Sequence, residues 1–376
     1  MKIVRSIVPV VTTTALLVAV LTFIAGFGSG TASNIEGRAS TSRPTTLATV
    51  ELCGEASGAD ATLLLPPETG LKGLTKPNDP YIGRQWALGQ MHVSALWSLT
   101  TGSTEILIAV LDTGIDRGHE DLRGKVVAEV NFTDSPSSND LNGHGTHVAG
   151  IIVAGSNNGK GVAGLAPESR VMNVKVADDY GSCQAMAVAR GIIWAVENGA
   201  KVINISIELR DPSAELEQAV NYAWSRGAVI VAAAGNRAGT APVYPAYYEK
   251  CIAVSATGQA DELAPLSNYG DWVDVAAPGS SIFSTLPGDR YGYESGTSFA
   301  TAYVSGLAAL LFNIMTDTNG NGRLNDEVRS AIEDGCQKVD AAGTGHGRID
   351  ALICSAKVEA FIGITQRGTR PCLLFS

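Results

Sequence analysis

Short apolar runs rich in β-branched residues alternate along most of this chain with longer stretches of helical period. The runs at 105–111, 125–131, 171–177, 201–207, 228–234, 251–256 and 272–276 read as strands, several of them apolar throughout, as in sheets covered on both faces. Between them, 144–153, 183–197, 214–225 and 298–314 read as helices, with Gly199 and Gly227 as stop signals and Asp211 or Ser213 as a cap. Strand and helix in this alternation, joined by right-handed crossovers, predict an α/β fold: a largely parallel central sheet with helices on both faces, in three layers.

The N-terminus departs from this pattern. Lys2 and Arg5 precede the uncharged stretch Ser6 to Gly30, and small residues follow near Ala32, so 1–32 reads as a secretory signal and the protein as secreted. Retention of the stretch as an N-terminal anchor is the alternative. From 33 to 76 the composition shifts to Thr, Ser, Ala, Gly and Pro, a linker or short pro-segment. That leaves one large globular domain over 77–360 and a tail at 361–376, with about 300 residues beyond the leader and linker, enough for one large core.

Composition narrows the partners. The net charge is −10 and no basic tract is present, which argues against nucleic acid. Once the signal is removed nothing suggests membrane association, and the chain reads as a monomer. Six cysteines in an exported chain allow fifteen complete pairings. Cys336 and Cys354 share the C-terminal helical segment and are the pair to test first, Cys53 and Cys372 lie in the tails, and Cys251 reads as a buried strand residue.

Candidate chemistry sits at the ends of these elements. Ser298 lies in Ser295-Gly296-Thr297-Ser298-Phe299-Ala300-Thr301-Ala302, at the start of the helix-like run, where free backbone N–H groups would stabilise negative charge on a substrate oxygen. A serine hydroxyl needs a histidine to take its proton, and the histidine needs a carboxylate to fix its tautomer. Asp112 closes the strand 105–111, at the carboxyl end where open α/β sheets bind ligands. His144 stands in Asn142-Gly143-His144-Gly145-Thr146-His147, a glycine-flanked helix entry. His144 and His147 as a zinc pair rank below a catalytic base, because they are three apart and lack the metalloprotease glutamate. Asn236 ends the run 228–234 and would donate to an oxyanion. Taken singly, each has an ordinary reading as an N-cap, an Asx-turn or a turn amide.

Taken together, the order Asp, His, Asn, Ser resembles the subtilisin-like serine peptidases. Asp112-Thr113-Gly114, His144-Gly145-Thr146-His147, Ala234-Gly235-Asn236 and Gly296-Thr297-Ser298 match that family's motifs, most closely its thermitase-like branch, over roughly Pro77 to Ala351. The resemblance implies the subtilisin-like three-layer fold and a serine endopeptidase that hydrolyses protein or peptide substrates through an Asp-His-Ser triad and an acyl-enzyme. A peptide-binding module of weakened activity and a serine esterase are the alternatives. The papain-like reading fails, since no cysteine has that context.

The same resemblance places the substrate strand between Tyr180-Gly181-Ser182-Cys183 and Ile205-Ser206-Ile207-Glu208. Glycine is usual where Cys183 and Glu208 stand. Glu208 would narrow the S1 entrance and favour a basic residue, or swing out to solvent. Val243 suggests a shallower S1, and Ala177 with Ala185 a roomier S4. In the nucleophile helix Phe299, Ala302 and Tyr303 replace the usual methionine, proline and histidine. The family also implies structural calcium, held here by Asp79, Asp121, the Asn158 side chain and the carbonyls of Gly155, Lys160 and Val162. A second site around Asn131 and Asp134 matches poorly. Asp317-Thr318-Asn319-Gly320-Asn321-Gly322 has half the spacing of an EF-hand loop, but Val328 stands where a bidentate acid belongs, and a turn capping the next helix is the better reading.

Overall fold

Seven strands of the expected kind form the centre of the molecule: β1 (Leu107–Asp112), β2 (Val126–Asn131), β3 (Arg170–Lys175), β4 (Val202–Ile205), β5 (Val229–Ala233), β6 (Cys251–Thr257) and β7 (Val275–Pro278). This computed structural model describes residues 77–356 and 358. The segments read as signal peptide, linker and tail, with Cys53 and Cys372, lie outside the described residues. The described residues all belong to the unit Pro66–Ser376; the other unit, Met1–Leu65, lies outside them.

A hairpin not anticipated from the sequence follows, β8 (Ile282–Leu286) and β9 (Arg290–Glu294), and then two short strands, β10 (Cys336–Gln337) and β11 (Arg348–Ile349). The sheet runs in the order β10-β11-β7-β6-β5-β4-β1-β3-β2, parallel except at β10-β11. Residues along each strand alternate between two cores. Ile108 and Val110 of β1, with Val229 and Val231 of β5, face one side; Ala109, Leu111, Ile230 and Ala232 face the other.

Helices cover both faces, as the three-layer expectation required. Two short helices, α1 (Trp86–Gln90) and α2 (Val93–Trp97), precede α3 (His144–Val153), α4 (Ala185–Glu197), α5 (Ala214–Ser225), α6 (Thr297–Ile314) and α7 (Asn325–Asp334). Helices α3, α6 and α7 pack into the first core and α4 and α5 into the second. Ser213 caps α5 by accepting from Leu216 N. Helix α6 is apolar and long enough to cross a membrane, but 89% of it is buried inside the fold, which makes it a core helix.

Two boundaries moved for reasons that matter to function. The strand expected at 201–207 ends at Ile205, because Ser206 to Glu208 leave the ladder to wall a cleft. The helix expected from 183 begins at Ala185, because Cys183 bridges back to Ala177. Strand β1 lies between β3 and β4, so the direction of crossover reverses there, and the carboxyl ends of these strands open a crevice.

Candidate active site

Asp112 is the last residue of β1 and is 1% exposed. Its Oδ1 accepts from His144 Nδ1 at 2.7 Å and from Thr113 N at 2.7 Å, while Oδ2 is buried with no protein partner. The histidine can come this close because α3 crosses over the Asp112 turn with no side chain between. A Cβ on Gly145 would lie 2.1 Å from Gly114 O and 3.1 Å from Asp112 Cβ. Burial disfavours the imidazolium of His144, but the charge and hydrogen bond of Asp112 outweigh it, with Glu294 and Asp140 adding, and raise its pKa above the usual 6.5.

Asp140 holds this geometry and was not singled out from the sequence. Buried to 1%, it accepts from Thr113 Oγ1, Asn142 N, Gly143 N, Thr146 N and Thr146 Oγ1, so one carboxylate ties the Asp112 turn to the first turn of α3. Its position four residues before the histidine, in Asp140-Leu141-Asn142-Gly143-His144, was the available signal. Lys175, fully buried on β3, supports the same turn by donating to Thr113 O and to Asp179.

Ser298 stands in the first turn of α6 and is 5% exposed. Its Oγ donates to Ser206 O at 3.4 Å, and Ser206 Oγ donates to Ser298 O at 3.1 Å, so the hydroxyl rests on the strand segment facing it. Ser298, His144, Asp112, Asn236, Ser206, Ile207, Glu208, Gly181 and Cys183 line one cleft of about 330 Å³. Asn236 Oδ1 accepts from Thr297 N and Thr297 Oγ1 at 2.8 and 3.1 Å, which fixes the amide with its nitrogen as the remaining donor group.

His147 takes no part in this chemistry. Burial pushes its pKa down to about 3, its Nε2 lies 3.3 Å from Gly292 O, and its ring packs 4.5 Å from Phe299. Among the described residues no group of three or more His, Cys, Asp or Glu side chains is placed to hold a metal. Phe299, Ala302 and Tyr303 are all buried, with Phe299 against both histidines.

Of the residues expected to flank a peptide, Gly181, Cys183, Ser206, Ile207 and Glu208 line the cleft, while Ser182 and Val243 do not. Ser182 and Cys183 line a neighbouring cavity of about 360 Å³ with Phe132 and Ala187, and Cys183 borders both spaces. Burial and the Asp112 charge push the Cys183 thiol up to about 11, so it is a protonated wall residue. Val243 is 4% exposed and packs in the second core beneath the cleft without lining it. Glu208 does not swing free into solvent: Oε1 accepts from Arg237 Nε and Nη2, both at 2.7 Å, and Oε2 accepts from Asn236 N.

Away from the cleft, Asp79 and Asp121, each 2% exposed, come together with the loop 155–162. Asp79 accepts from Asn157 N and Asn158 N, and Asp121 from Asn158 Nδ2, Val162 N and Tyr291 Oη. Gly155 N donates to Asp121 O, and Lys160 N to Asn158 Oδ1. Burial and the neighbouring Asp121 charge raise the pKa of Asp79. Neither carboxylate forms a salt bridge among the described residues. Asn131 spends its side chain on its own turn, through Thr133, Ser135 and Ser137. The loop from Asp317 closes on itself through Gly320 N and Gly322 N, and Val328 is a core residue of α7, whose N-cap, Leu324, makes no side-chain cap. In the same corner Cys336 Sγ contacts Ile332 O, and Cys354 Sγ contacts Ala331 O.

Known proteins resemble this chain over most of the described residues. The pattern of the subtilase family, Peptidase_S8, matches residues 103–343. The chain is 47% identical over 279 residues to a thermophilic serine proteinase of Bacillus sp. strain AK1, covering 73% of this chain and 68% of that one. It is 46% identical over 279 residues to thermitase of Thermoactinomyces vulgaris, covering 73% of this chain and 97% of that one. Among solved structures, a protease from Pseudoalteromonas arctica PAMC 21717 superposes with a TM-score of 0.69 at 30% identity, covering 76% of this chain and all of that one.

Proposed function

The chain belongs to the subtilase family, on its thermitase-like branch, and is a serine-type endopeptidase; from that premise we propose that Ser298, His144 and Asp112 form its triad and Asn236 its oxyanion donor. The observation that carries the assignment is the 2.7 Å bond from His144 Nδ1 to Asp112 Oδ1, made in the cleft that also holds Ser298 and Asn236. With Nδ1–H committed to Asp112, the neutral ring presents Nε2 as a base. Ser298 Oγ leaves Ser206 O, gives its proton to Nε2 and attacks the scissile carbonyl carbon. The carbonyl oxygen becomes an oxyanion held by Asn236 Nδ2 and Ser298 N. The imidazolium then protonates the leaving amine as the C–N bond breaks, and water, deprotonated by His144, hydrolyses the acyl-enzyme. The substrate lies extended between Gly181-Ser182-Cys183 and Ser206-Ile207-Glu208.

Purified protein should cleave unfolded casein, and Ser298→Ala should abolish cleavage while leaving the fold intact. Persistent cleavage by that variant would remove Ser298 from the mechanism. Asn236→Ala should lower turnover by about 10²–10³, the magnitude known for the oxyanion asparagine of subtilisins themselves.

We further propose a structural calcium ion at Asp79, Asp121 and Asn158, with carbonyls of Gly155, Lys160 and Val162. The donors fit: hard oxygens, two buried carboxylates in no salt bridge among the described residues, and a tight glycine-rich loop. When bound, the ion supplies charge neutralisation and a crosslink between the N-terminal arm and the loop. The leader 1–32 makes the product secreted, the segment 33–76 is a linker or short pro-segment preceding the peptidase domain 77–360, and the mature enzyme acts as a monomer.

A further inference from the structure

We propose that Glu208 is a positioning residue which, with Arg237, buckles the substrate-pairing segment to the oxyanion loop and holds Asn236 in place. The inference rests on Asn236 being the oxyanion donor, as proposed above.

Strands β4 and β5 are parallel neighbours, with Ile205 beside Ala232. Their extensions beyond the sheet therefore run side by side, Ser206 to Glu208 on one wall and Gly235 to Arg237 on the other. Nothing in the sheet ladder holds Asn236, although its neighbour Gly235 donates to Thr297 Oγ1 and accepts from Asn268 N. The Glu208 carboxylate does so from across the gap, with Oε2 accepting from Asn236 N at 3.0 Å and Oε1 from Arg237 Nε and Nη2, each at 2.7 Å. Charge-assisted bonds at 2.7 Å are the strong kind, and both arginine donors converge on Oε1, which leaves Oε2 to the Asn236 backbone.

The carboxylate reaches the Asn236 backbone only because Gly235 is bare. A Cβ there would lie 2.3 Å from Glu208 Oε2, and Gly235 has φ +98°, where a side chain is strained in any case. From the other side Asn268 Oδ1 accepts from Arg237 N, and Asn268 Nδ2 donates to Ala234 O. The backbone of Asn236 is thus held by Glu208 while its side-chain oxygen is held by Thr297, and the two together aim Nδ2. An oxyanion donor is effective to the extent that it needs no reorganisation as charge develops, so a device that fixes it acts on the transition state more than on substrate binding.

The same pair settles the charge of this wall. Glu208 is 23% exposed and Arg237 46%, so their side chains stay near the cleft mouth, yet the carboxylate is neutralised by its partner. A basic residue entering beside Glu208 meets an ion pair in place of a free anion. The glutamate is therefore no recruiter of basic P1 residues.

The test is a kinetic double-mutant cycle on peptide substrates with Glu208→Gln, Arg237→Met and Asn236→Ala, each checked for an unchanged melting transition. Glu208→Gln should lower kcat by about tenfold, a part of the loss from removing the donor outright, with KM nearly constant. Affinity for a peptide boronic acid should fall in step with kcat/KM. Arg237→Met should act in the same direction, and neither change should lower kcat further in the Asn236→Ala background. If Asn236→Ala itself leaves kcat intact, the oxyanion assignment fails and the clamp with it. If Asn236→Ala is costly but Glu208→Gln multiplies that cost, or if Glu208→Gln changes only KM for lysine at P1, Glu208 is not a positioning residue.

Discussion

The protonation of His144 decides when this enzyme can work, because only the neutral ring accepts the serine proton. Burial opposes its charge, but Asp112, Glu294 and Asp140 raise its pKa, so the acid limb of kcat/KM should have its midpoint above pH 6.5. Glu294 forms no salt bridge among the described residues, and His147, neutral at working pH, does not counter it. Glu294→Gln removes a negative charge from the imidazolium and should move the midpoint to lower pH in a pH–rate profile. A midpoint that stays put would show that Asp112 and Asp140 alone set it. His147 makes the opposite contribution, to stability. Its folded pKa is depressed to about 3, so from pH 6.5 downwards the unfolded chain takes up a proton that the folded one refuses. Stability should therefore fall with pH across that window, by at most about 1.4 kcal/mol per unit from this residue. Urea midpoints measured from pH 7 to 4 should lose part of this slope in His147→Gln.

At the level of elements, the nucleophile and its base depend on how two helices start. Helix α3 begins at His144 with no side chain on its own N-cap, Gly143, and Asp140 fills that role from outside while also gripping Thr113. Asp140→Ala would strand buried donors on both sides of the junction. It should destabilise the fold by about 3 kcal/mol and lower kcat by loosening the Asp112 to His144 bond. Denaturant unfolding with parallel kinetics checks both, and a variant with full kcat would show that α3 seats His144 unaided. This difference between Asp112 and Asp140 also explains what could be read from the sequence. Asp112, His144, Asn236 and Ser298 stand at the end of an apolar run or the start of a helical one, and local pattern marks such places. The roles of Asp140, Thr297 and Arg237 exist only where separate segments meet, as in Thr297 gripping Asn236 Oδ1, and no periodicity announces them. Six of the seven core strands were legible because they are buried on both faces, whereas β2, at the sheet edge, alternates half-buried and exposed positions. The β8–β9 hairpin was not, since β9 (Arg-Tyr-Gly-Tyr-Glu) is half exposed and lacks an apolar run.

For the molecule as a whole, the first described residues form a strap laid over the loop that follows α3. Tyr81 N donates to Gly161 O, Asp79 accepts from Asn157 and Asn158, and the Tyr81 ring packs against Phe283 and Tyr291 of the hairpin. Two carboxylates buried side by side are costly unless a cation offsets their charge, and burial and Asp121 already raise the pKa of Asp79. A cation bound only by the folded state stabilises it by mass action, about 2.7 kcal/mol when free ion stands at a hundred times its dissociation constant. Calcium should therefore raise the melting temperature and a chelator lower it. Asp121→Asn should remove most of that difference while leaving the pH dependence set by His144 unchanged. The strap, being local, should open before the sheet does, so chelation should first expose the segment around Asp79 to amide exchange, ahead of β1 and β4. Equal melting temperatures with calcium and with chelator would refute the site, and the strap would then have to be held by Asn157, Asn158 and the Tyr81 ring contacts alone.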